Sequence, residues 1–323
     1  MRQEHKYKPN TAISMYEFGK RFPNAETARL YIEQQKWQGK AFCEFCNSVN
    51  VRKLPSKNGF YQCNTCRKKF NACTNTIFQS SNIPLDKWLY AFYIMVTARK
   101  GVSSMQLSKE LGITQKSAWF MCHRVRYAMS SDKYKSLLKG VVECDETYIG
   151  GKEKNKHNSK KTKQGRGGVG KIPVFGIVER GGKALSIAVN ETTSEKLQGL
   201  IEQNVAKDSV VNTDEARAYL GLEQKGYSCK RVNHSAKVFV DNMASTNGIE
   251  SVWALLKRGF YGTFHKFSGK HLQRYVDEFD FRWNEGNCKY PTMSRVDSLA
   301  NGCFGRNLPY KVLIGKNNLI SPK

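Results

Sequence analysis

Three acidic residues in the second half of the chain have the types and spacing of a site for divalent cations. Asp145 in VVECDETYIGG and Asp214 in SVVNTDEARAY end apolar, β-branched runs that predict strands. Glu250 lies in the helical stretch NGIESVWALLKRG, and 35 positions (215–249) separate it from Asp214. Two strands and a helix that brought these carboxylates together could hold two cations, and such a pair can cut and rejoin phosphodiester bonds. The all-oxygen ligand set suits Mg2+ or Mn2+.

The neighbours of these acids also fit a shared pocket. Side chains alternate along a strand, so Glu143 points the same way as Asp145 and Cys144 points to the opposite side. Lys257 follows Glu250 by two helical turns on the same face, where its ammonium group could bind a phosphate beside the cations. A glutamate and a lysine on an inward stripe are costly unless metal and phosphate use them. The competing interpretation is that the acids are ordinary surface residues.

The charge balance indicates a polyanionic partner. Lysine and arginine number 53 against 27 acids, a net charge of +26, which favours DNA or RNA over an anionic membrane surface. No run of about 18 apolar residues occurs, so no membrane span is expected. The N-terminal MRQEHKYKPN lacks the apolar core of a signal peptide, so we expect a cytoplasmic, nucleoid-associated protein.

Paired CxxC motifs predict a structural metal site within residues 1–78. The four cysteines with this spacing are Cys43, Cys46, Cys63 and Cys66. Zn2+ takes four thiolates tetrahedrally, and each CxxC turn supplies two of them. A segment of about 35 residues has little core of its own, so metal binding would supply its folding energy. Unrelated reduced thiols and a redox pair are the alternatives, and the double spacing favours zinc.

Residues 79–135 predict a helix-turn-helix. A helix over Ser104–Leu111 is followed by Gly112 as the turn and by Thr114 as the cap of a second helix. Polar residues near the start of the second helix could reach base edges, and arginines further along could reach phosphates. The residues expected to contact DNA are Gln115, Lys116, Arg124 and Arg126. An ordinary helical pair on a basic surface is the alternative.

Residues 136–290 predict a mixed α/β domain, because apolar strand patterns come first and helical patterns follow. A basic segment, 152–171, interrupts it with eight basic residues and one acid, which predicts a flexible loop that holds phosphate. The residues of this loop expected to contact DNA are Lys160, Lys161, Lys163 and Arg166. Residues 291–323 are expected to form a C-terminal tail.

Taken together, the motifs resemble bacterial insertion-sequence transposases with an N-terminal zinc ribbon and a ribonuclease H-like DDE core. The matching segments run from about residue 40 to residue 285, and they include CEFC…CNTC, LSKELGITQKSAWFMCHRVR, VECDETYIGGK, NTDEARAY and STNGIESVWALLKRGF. The resemblance implies a multidomain protein: zinc ribbon, helix-turn-helix, then a ribonuclease H-like core with a mixed sheet.

The resemblance also implies residue roles and a reaction. Asp145, Asp214 and Glu250 would be the DDE acids and Lys257 the accompanying basic residue. Some relatives have asparagine at the third position, which makes Asn247 the alternative. The expected activity is metal-dependent cleavage and strand transfer at terminal inverted repeats of double-stranded DNA, by a homo-oligomer. A nuclease with the same core but no strand transfer, and a non-enzymatic DNA-binding regulator, are the competing interpretations.

Overall fold

Two compact units make up the protein. The computed structural model describes residues 12–56, 58–130, 136–151, 157–161, 170–214, 217–231 and 246–315. One unit combines Met1–Ser130 with Glu285–Lys323, and the other is Ser131–Asn284. Within the described residues, no helix has the length and apolar character that a bilayer span requires.

The first unit begins with two helices that start at side-chain caps. These helices are α1 (Met15–Arg21) and α2 (Ala25–Trp37). Ser14 Oγ accepts from the Glu17 N–H at 3.2 Å, and the Glu17 carboxylate accepts from the Ser14 N–H at 2.7 Å. This reciprocal pair is a capping box, which satisfies two N–H groups that lack helical partners. Asn24 Oδ1 accepts from the Thr27 N–H at 2.9 Å and so caps α2.

Three short antiparallel strands follow α2. They are β1 (Val51–Lys53), β2 (Phe60–Cys63) and β3 (Lys69–Asn71), in the order β1-β2-β3. The ring of Trp37 packs edge-on against Tyr61 and Phe70, with centroid distances of 5.1 and 5.9 Å. Aromatic packing therefore joins α2 to this small sheet, and a buried ion pair between Lys36 Nζ and Glu44 Oε1, 2.8 Å apart, joins α2 to the segment before β1.

Three helices follow the small sheet in the chain. They are α3 (Leu85–Thr97), α4 (Ser104–Leu111) and α5 (Gln115–Met129). Gly112 ends α4 with a φ of 59°, a left-handed conformation that glycine adopts without steric cost. Thr114 Oγ1 accepts from the Ser117 N–H at 3.2 Å and so caps α5. A turn at Gly112 thus joins α4 to α5.

The second unit is built on one mixed sheet. Its strands are β4 (Val141–Ile149), β5 (Ile172–Glu179), β6 (Ala184–Ala188), β7 (Val210–Thr213) and β8 (Ser228–Arg231). Their order is β6-β5-β4-β7-β8. The β5 strand pairs antiparallel with β4 and β6, whereas β7 pairs parallel with β4 and β8. The mixed sheet expected of an α/β core is confirmed.

Three helices cover the two faces of this sheet. They are α6 (Ser194–Asn204), α7 (Asn247–Gly259) and α8 (Leu272–Trp283). The cluster on the α6 face includes Val142, Cys144, Leu197 and Ile201. The cluster on the face of α7 and α8 includes Val174, Val178, Ile249, Leu256 and Phe279. Both faces of the sheet are therefore buried, which explains the long apolar runs of β4 and β5.

Side chains of α8 satisfy backbone groups of the edge strand β6. Asp280 accepts hydrogen bonds from the Ser186 N–H at 2.6 Å and from the Ser186 hydroxyl at 2.7 Å. Asn284 accepts from the Ala184 N–H and donates to the Ala184 carbonyl, both at 2.8 Å. Gln273 Nε2 donates to the Ser186 carbonyl at 3.1 Å. These contacts give the edge strand the partners that a further strand would supply.

The segment 291–323 contains two more helices of the first unit over its described part. These helices are α9 (Thr292–Asn301) and α10 (Tyr310–Ile314). Asp297 of α9 accepts from the Tyr31 hydroxyl at 2.5 Å and from Gln35 Nε2 at 3.1 Å. The C-terminal segment therefore packs against α2 within its unit, although the sequence pattern indicated a tail.

Candidate active site and metal centres

Asp145 lies on β4, on the face that α7 covers. Its partner across the antiparallel pair is Gly176 of β5. Trp253 Nε1 of α7 donates a hydrogen bond to Asp145 Oδ2 at 2.9 Å. A Cβ added to Gly176 would lie 2.5 Å from Trp253 Cη2, so only glycine leaves room for this indole above the strand. Cys144 is fully buried on the other face, as the alternation of side chains predicts.

Asp214 comes directly after β7, the parallel neighbour of β4. The register of the pair runs from Val141↔Val210 to Glu143↔Asn212. Two more residues on each strand bring Asp214 opposite Asp145, and residues opposite each other in a sheet project from the same face. The Asp214 charge is among the causes that raise the pKa of Asp145. The two aspartates therefore lie beside each other, Asp145 in the middle of β4 and Asp214 just beyond the C-terminal end of β7.

Glu250 lies in the first turn of α7 and is exposed. Its charge also raises the pKa of Asp145, so the helix brings the third acid into the electrostatic range of the strand acids. Lys257, two turns further along α7, is exposed as well, and Asn247 is exposed at the first position of the helix. The stripe expected to face inward is thus divided: Trp253 is buried, whereas Glu250 and Lys257 face solvent.

Negative charge accumulates around Asp145. Burial is the first cause that raises its pKa, and the charges of Asp214 and Glu250 raise it further, while the hydrogen bond from Trp253 lowers it. A bound cation would offset both the burial and the repulsion, so the donor chemistry fits a divalent ion. Among the described residues, these carboxylates form a looser group than the four thiols, whose ligand atoms all lie within 4.8 Å of one another.

Glu146, the residue after Asp145 on β4, is a further acid near the site, and no role was predicted for it. Its carboxylate accepts a hydrogen bond from the Tyr219 hydroxyl. Burial raises the pKa of Glu146 to about 7, the hydrogen bond lowers it, and the charges of Asp145 and Asp214 raise it. The DE pair in VVECDETYIGG was the available signal, and strand alternation assigns Glu146 to the side opposite Asp145.

The four predicted zinc ligands form one cluster. Cys43, Cys46, Cys63 and Cys66 each offer a sulfur, and these atoms all lie within 4.8 Å of one another. Cys43 Sγ lies 3.5 Å from Cys66 Sγ, and Cys46 Sγ lies 3.6 Å from Cys63 Sγ. The Cys66 N–H donates to Cys63 Sγ at 3.4 Å, which lowers the pKa of Cys63 and favours its thiolate. Four converging thiols at this spacing suit tetrahedral Zn2+.

This chain is similar in sequence to proteins of mobile elements. The family model of the ISXO2-like transposase domain matches residues 137–284. The uncharacterized protein in transposable element ISH50 of Halobacterium salinarum is 28% identical over 275 residues, which cover 81% of this chain and 92% of that protein. An uncharacterized transposase-like protein of Haemophilus influenzae is 33% identical over 110 residues, which cover 33% of this chain and 85% of that protein. The chain belongs to the insertion-sequence transposases.

Solved transposase structures are more distant. The Mos1 transposase paired-end complex with left transposon end is 12% identical and covers 68% of this chain and 80% of that one, with a TM-score of 0.27. A pre-cleavage Mos1 transpososome is 14% identical, and the match covers 68% of this chain and 79% of that one, with a TM-score of 0.25. TM-scores this low do not establish a shared fold. The transposase family and the mixed sheet of residues 137–284 are what support a ribonuclease H-like core.

The DNA-contacting residues predicted on α5 of the transposase differ in exposure. Gln115 and Lys116 are exposed at the start of the helix. Arg124 and Arg126 are only 4% and 2% exposed, and Arg124 Nε donates to the Leu308 carbonyl at 3.2 Å. Burial lowers the pKa of Arg124 to about 10. Both arginines were expected to contact phosphate, but they lie in the interior because the α5 face that carries them packs within the first unit.

The basic loop of the transposase falls mostly outside the described residues. Lys161 is exposed, and its Nζ donates to Asn158 Oδ1 at 2.8 Å. The Lys160 side chain, Lys163 and Arg166 lie outside the described part of the chain. Their predicted contacts with phosphate therefore stay predictions.

Proposed function

We propose that this transposase binds the terminal inverted repeats of its element and performs metal-dependent cleavage and strand transfer on double-stranded DNA. Asp145, Asp214 and Glu250 are the proposed ligands of Mg2+ or Mn2+. The observation that supports this set most directly is the β4–β7 register, which brings Asp214 opposite Asp145 on the face that α7 covers. The influence of Asp214 and Glu250 on the pKa of Asp145 supports the same grouping.

Each residue of the proposed site has a distinct task. Asp145 is fixed by the indole N–H of Trp253, so its carboxylate is oriented before any cation binds. Glu250 is exposed, which lets it reach a ligand at the surface where DNA would lie. Exposed Lys257 would contact a phosphate next to the scissile bond. A bound pair of divalent cations would supply an activated nucleophile and stabilise the leaving oxygen.

The proposed reaction has two phosphoryl-transfer steps. Hydrolysis of a phosphodiester at the element's end frees a 3′-hydroxyl, and that hydroxyl then attacks a phosphodiester of target DNA. The bond energy is conserved in the second step because one phosphodiester replaces another. Two DNA ends must be joined, which favours a homo-oligomer in the DNA complex.

The first unit is proposed to recognise DNA. Its cluster of four cysteines would hold structural Zn2+, and exposed Gln115 and Lys116 would approach the terminal repeats from the start of α5. Lys161 and the basic segment 152–171 would contact phosphates without reading sequence. The net charge of +26 supports a DNA partner. We place the transposase in the cytoplasm, associated with the nucleoid.

The decisive experiment compares the wild type with Asp145→Asn on a labelled terminal-repeat duplex in Mg2+. We expect the variant to lose strand cleavage and keep DNA binding, because the amide preserves shape and removes the ligand charge. Glu195→Gln, an exposed acid in the first turn of α6, serves as the matched control and should cut normally. Cleavage by Asp145→Asn at the wild-type rate would refute the assignment.

A second assay separates transposition from simple hydrolysis. Pre-cut ends that carry a free 3′-hydroxyl are supplied with a supercoiled plasmid. Joining of the ends to the plasmid supports strand transfer, whereas cleavage without joining indicates a nuclease. Sequence-specific binding with no Mg2+-dependent cleavage would indicate a regulator.

A further inference from the structure

Glu143 is a buried carboxylate that the proposed chemistry leaves without a role. It lies on β4 two residues before Asp145, and its side chain is 3% exposed. Glu143 Oε2 accepts a hydrogen bond from the Ile249 N–H of α7 at 3.0 Å. Glu143 Oε1 accepts from Arg180 Nη2 at 3.3 Å. The carboxylate therefore connects the central strand to the first turn of the helix that carries Glu250.

The contact with Ile249 replaces a missing helix cap. N–H groups in the first turn of a helix have no partner within the helix. Thr246, at the N-cap position of α7, provides no side-chain hydrogen bond to it. Glu143 supplies the acceptor from a different element, and its negative charge suits the positive end of the helix dipole. The position of the α7 N-terminus above β4 is thus fixed by a side chain of β4.

Gly248 shows how closely the helix approaches this carboxylate. A Cβ added to Gly248 would lie 2.7 Å from Glu143 Oε2. Any larger residue would push the first turn of α7 away from β4 or displace Glu143. The close approach and the hydrogen bond involve the two residues that directly precede Glu250, so they determine where the backbone of Glu250 lies.

A second contact holds the same helix one turn later. Trp253 Nε1 donates to Asp145 Oδ2 at 2.9 Å, and the indole occupies the space above Gly176. Glu250 therefore lies between two points, Ile249 and Trp253, at which α7 is bonded to β4. Without the first contact, the turn that carries Glu250 would be held to the strand only from its C-terminal side.

We propose that Glu143 is a positioning residue that sets the distance between Glu250 and Asp145 and thereby the affinity of the site for divalent cations. This inference rests on the proposed function. Glu143 itself contacts neither DNA nor cation; it acts through the backbone of α7. Positioning groups of this kind typically change metal affinity by about 10- to 100-fold when they are removed.

The test is a Mg2+ titration of strand cleavage by the full-length protein. Glu143→Gln keeps an oxygen that can accept from Ile249 but removes the charge, and Glu143→Ala removes both. We expect the Mg2+ concentration at half-maximal rate to rise about 10-fold or more for Glu143→Ala and less for Glu143→Gln. Affinity for the terminal-repeat duplex should stay at the wild-type value. Gly248→Ala perturbs the same contact from the helix side and should shift the titration in the same direction.

The outcomes separate this inference from the proposed function. Absence of Mg2+-dependent cleavage in the wild type would overturn the proposed function, and this inference with it. Cleavage by the wild type, together with an unchanged Mg2+ titration in Glu143→Gln and Gly248→Ala, would overturn the positioning role alone. If Glu143→Ala fails to fold, those two milder variants decide. Glu195→Gln, which removes an acid from the first turn of α6, is the control and should titrate like the wild type.

Discussion

The hydrogen bond from Trp253 to Asp145 leads to a prediction that can be worked from the structure. Trp253→Phe keeps an aromatic ring in the space above Gly176 and removes the N–H that donates to Asp145 Oδ2 at 2.9 Å. Asp145 then loses a contact that lowers its pKa, so its pKa rises further above the usual range. The carboxylate is also less firmly oriented, because one of its two oxygens loses its fixed donor.

The size of the expected loss in cleavage rate follows from the type of hydrogen bond that Trp253→Phe removes. A hydrogen bond to a charged group contributes about 1.5–3 kcal/mol, and the lower end applies because Asp145 is only partly buried. Since each 1.36 kcal/mol corresponds to tenfold in rate, we expect cleavage at subsaturating Mg2+ to fall by roughly tenfold. The direction of the pH effect also follows. Because Trp253→Phe raises the pKa of Asp145, the acidic limb of the pH–rate profile should move to higher pH.

The assay measures single-turnover cleavage of a labelled duplex across pH and Mg2+ concentration. Trp88→Phe is the matched control, since Trp88 is buried in the first unit and its Nε1 donates to Ser81 Oγ at 3.2 Å. Both variants lose one indole hydrogen bond, but only Trp253→Phe should change the Mg2+ and pH dependence. Identical profiles for Trp253→Phe and the wild type would show that the contact does not orient a metal ligand.

Four more variants test other parts of the structure. Gly176→Ala should lower stability by about 1–3 kcal/mol, because its Cβ would lie 2.5 Å from the Trp253 ring; an unchanged melting temperature would contradict this close packing. Cys63→Ser should lose bound zinc and terminal-repeat binding together, and wild-type zinc content by elemental analysis would reject the metal site. Lys116→Ala should weaken DNA binding with little effect on melting, whereas Arg124→Ala should lower the melting temperature, and the opposite pattern would reverse their assigned roles.

Much of the core could be predicted because its signals are local. Alternation along VVECD correctly separated Cys144 from Asp145, and Thr114 marked the start of α5. The double CxxC spacing identified the four thiols that converge. These features depend on residues within a few positions of one another, so the sequence carries them directly.

The features that could not be predicted depend on tertiary packing. The helical spacing of α5 does not reveal that Arg124 lies under Leu308, 184 positions away. From the sequence, Glu143 resembles a further acid of the metal site. Only the position of α7 shows that its carboxylate accepts a hydrogen bond from the Ile249 N–H. The short polar strand β8 has no alternation of apolar and polar residues, so no local pattern predicts it. Only its pairing with β7 identifies it as a strand. For α1 a signal did exist, the Ser14-x-x-Glu17 capping box.

The most direct measurement is a crystal structure of the full-length protein with a terminal-repeat duplex and Mn2+, with the ions located by anomalous scattering. We predict anomalous peaks whose ligands include carboxylate oxygens of Asp145, Asp214 and Glu250. Ions bound elsewhere, with Glu250 directed away from the two aspartates, would contradict a shared site for the three acids.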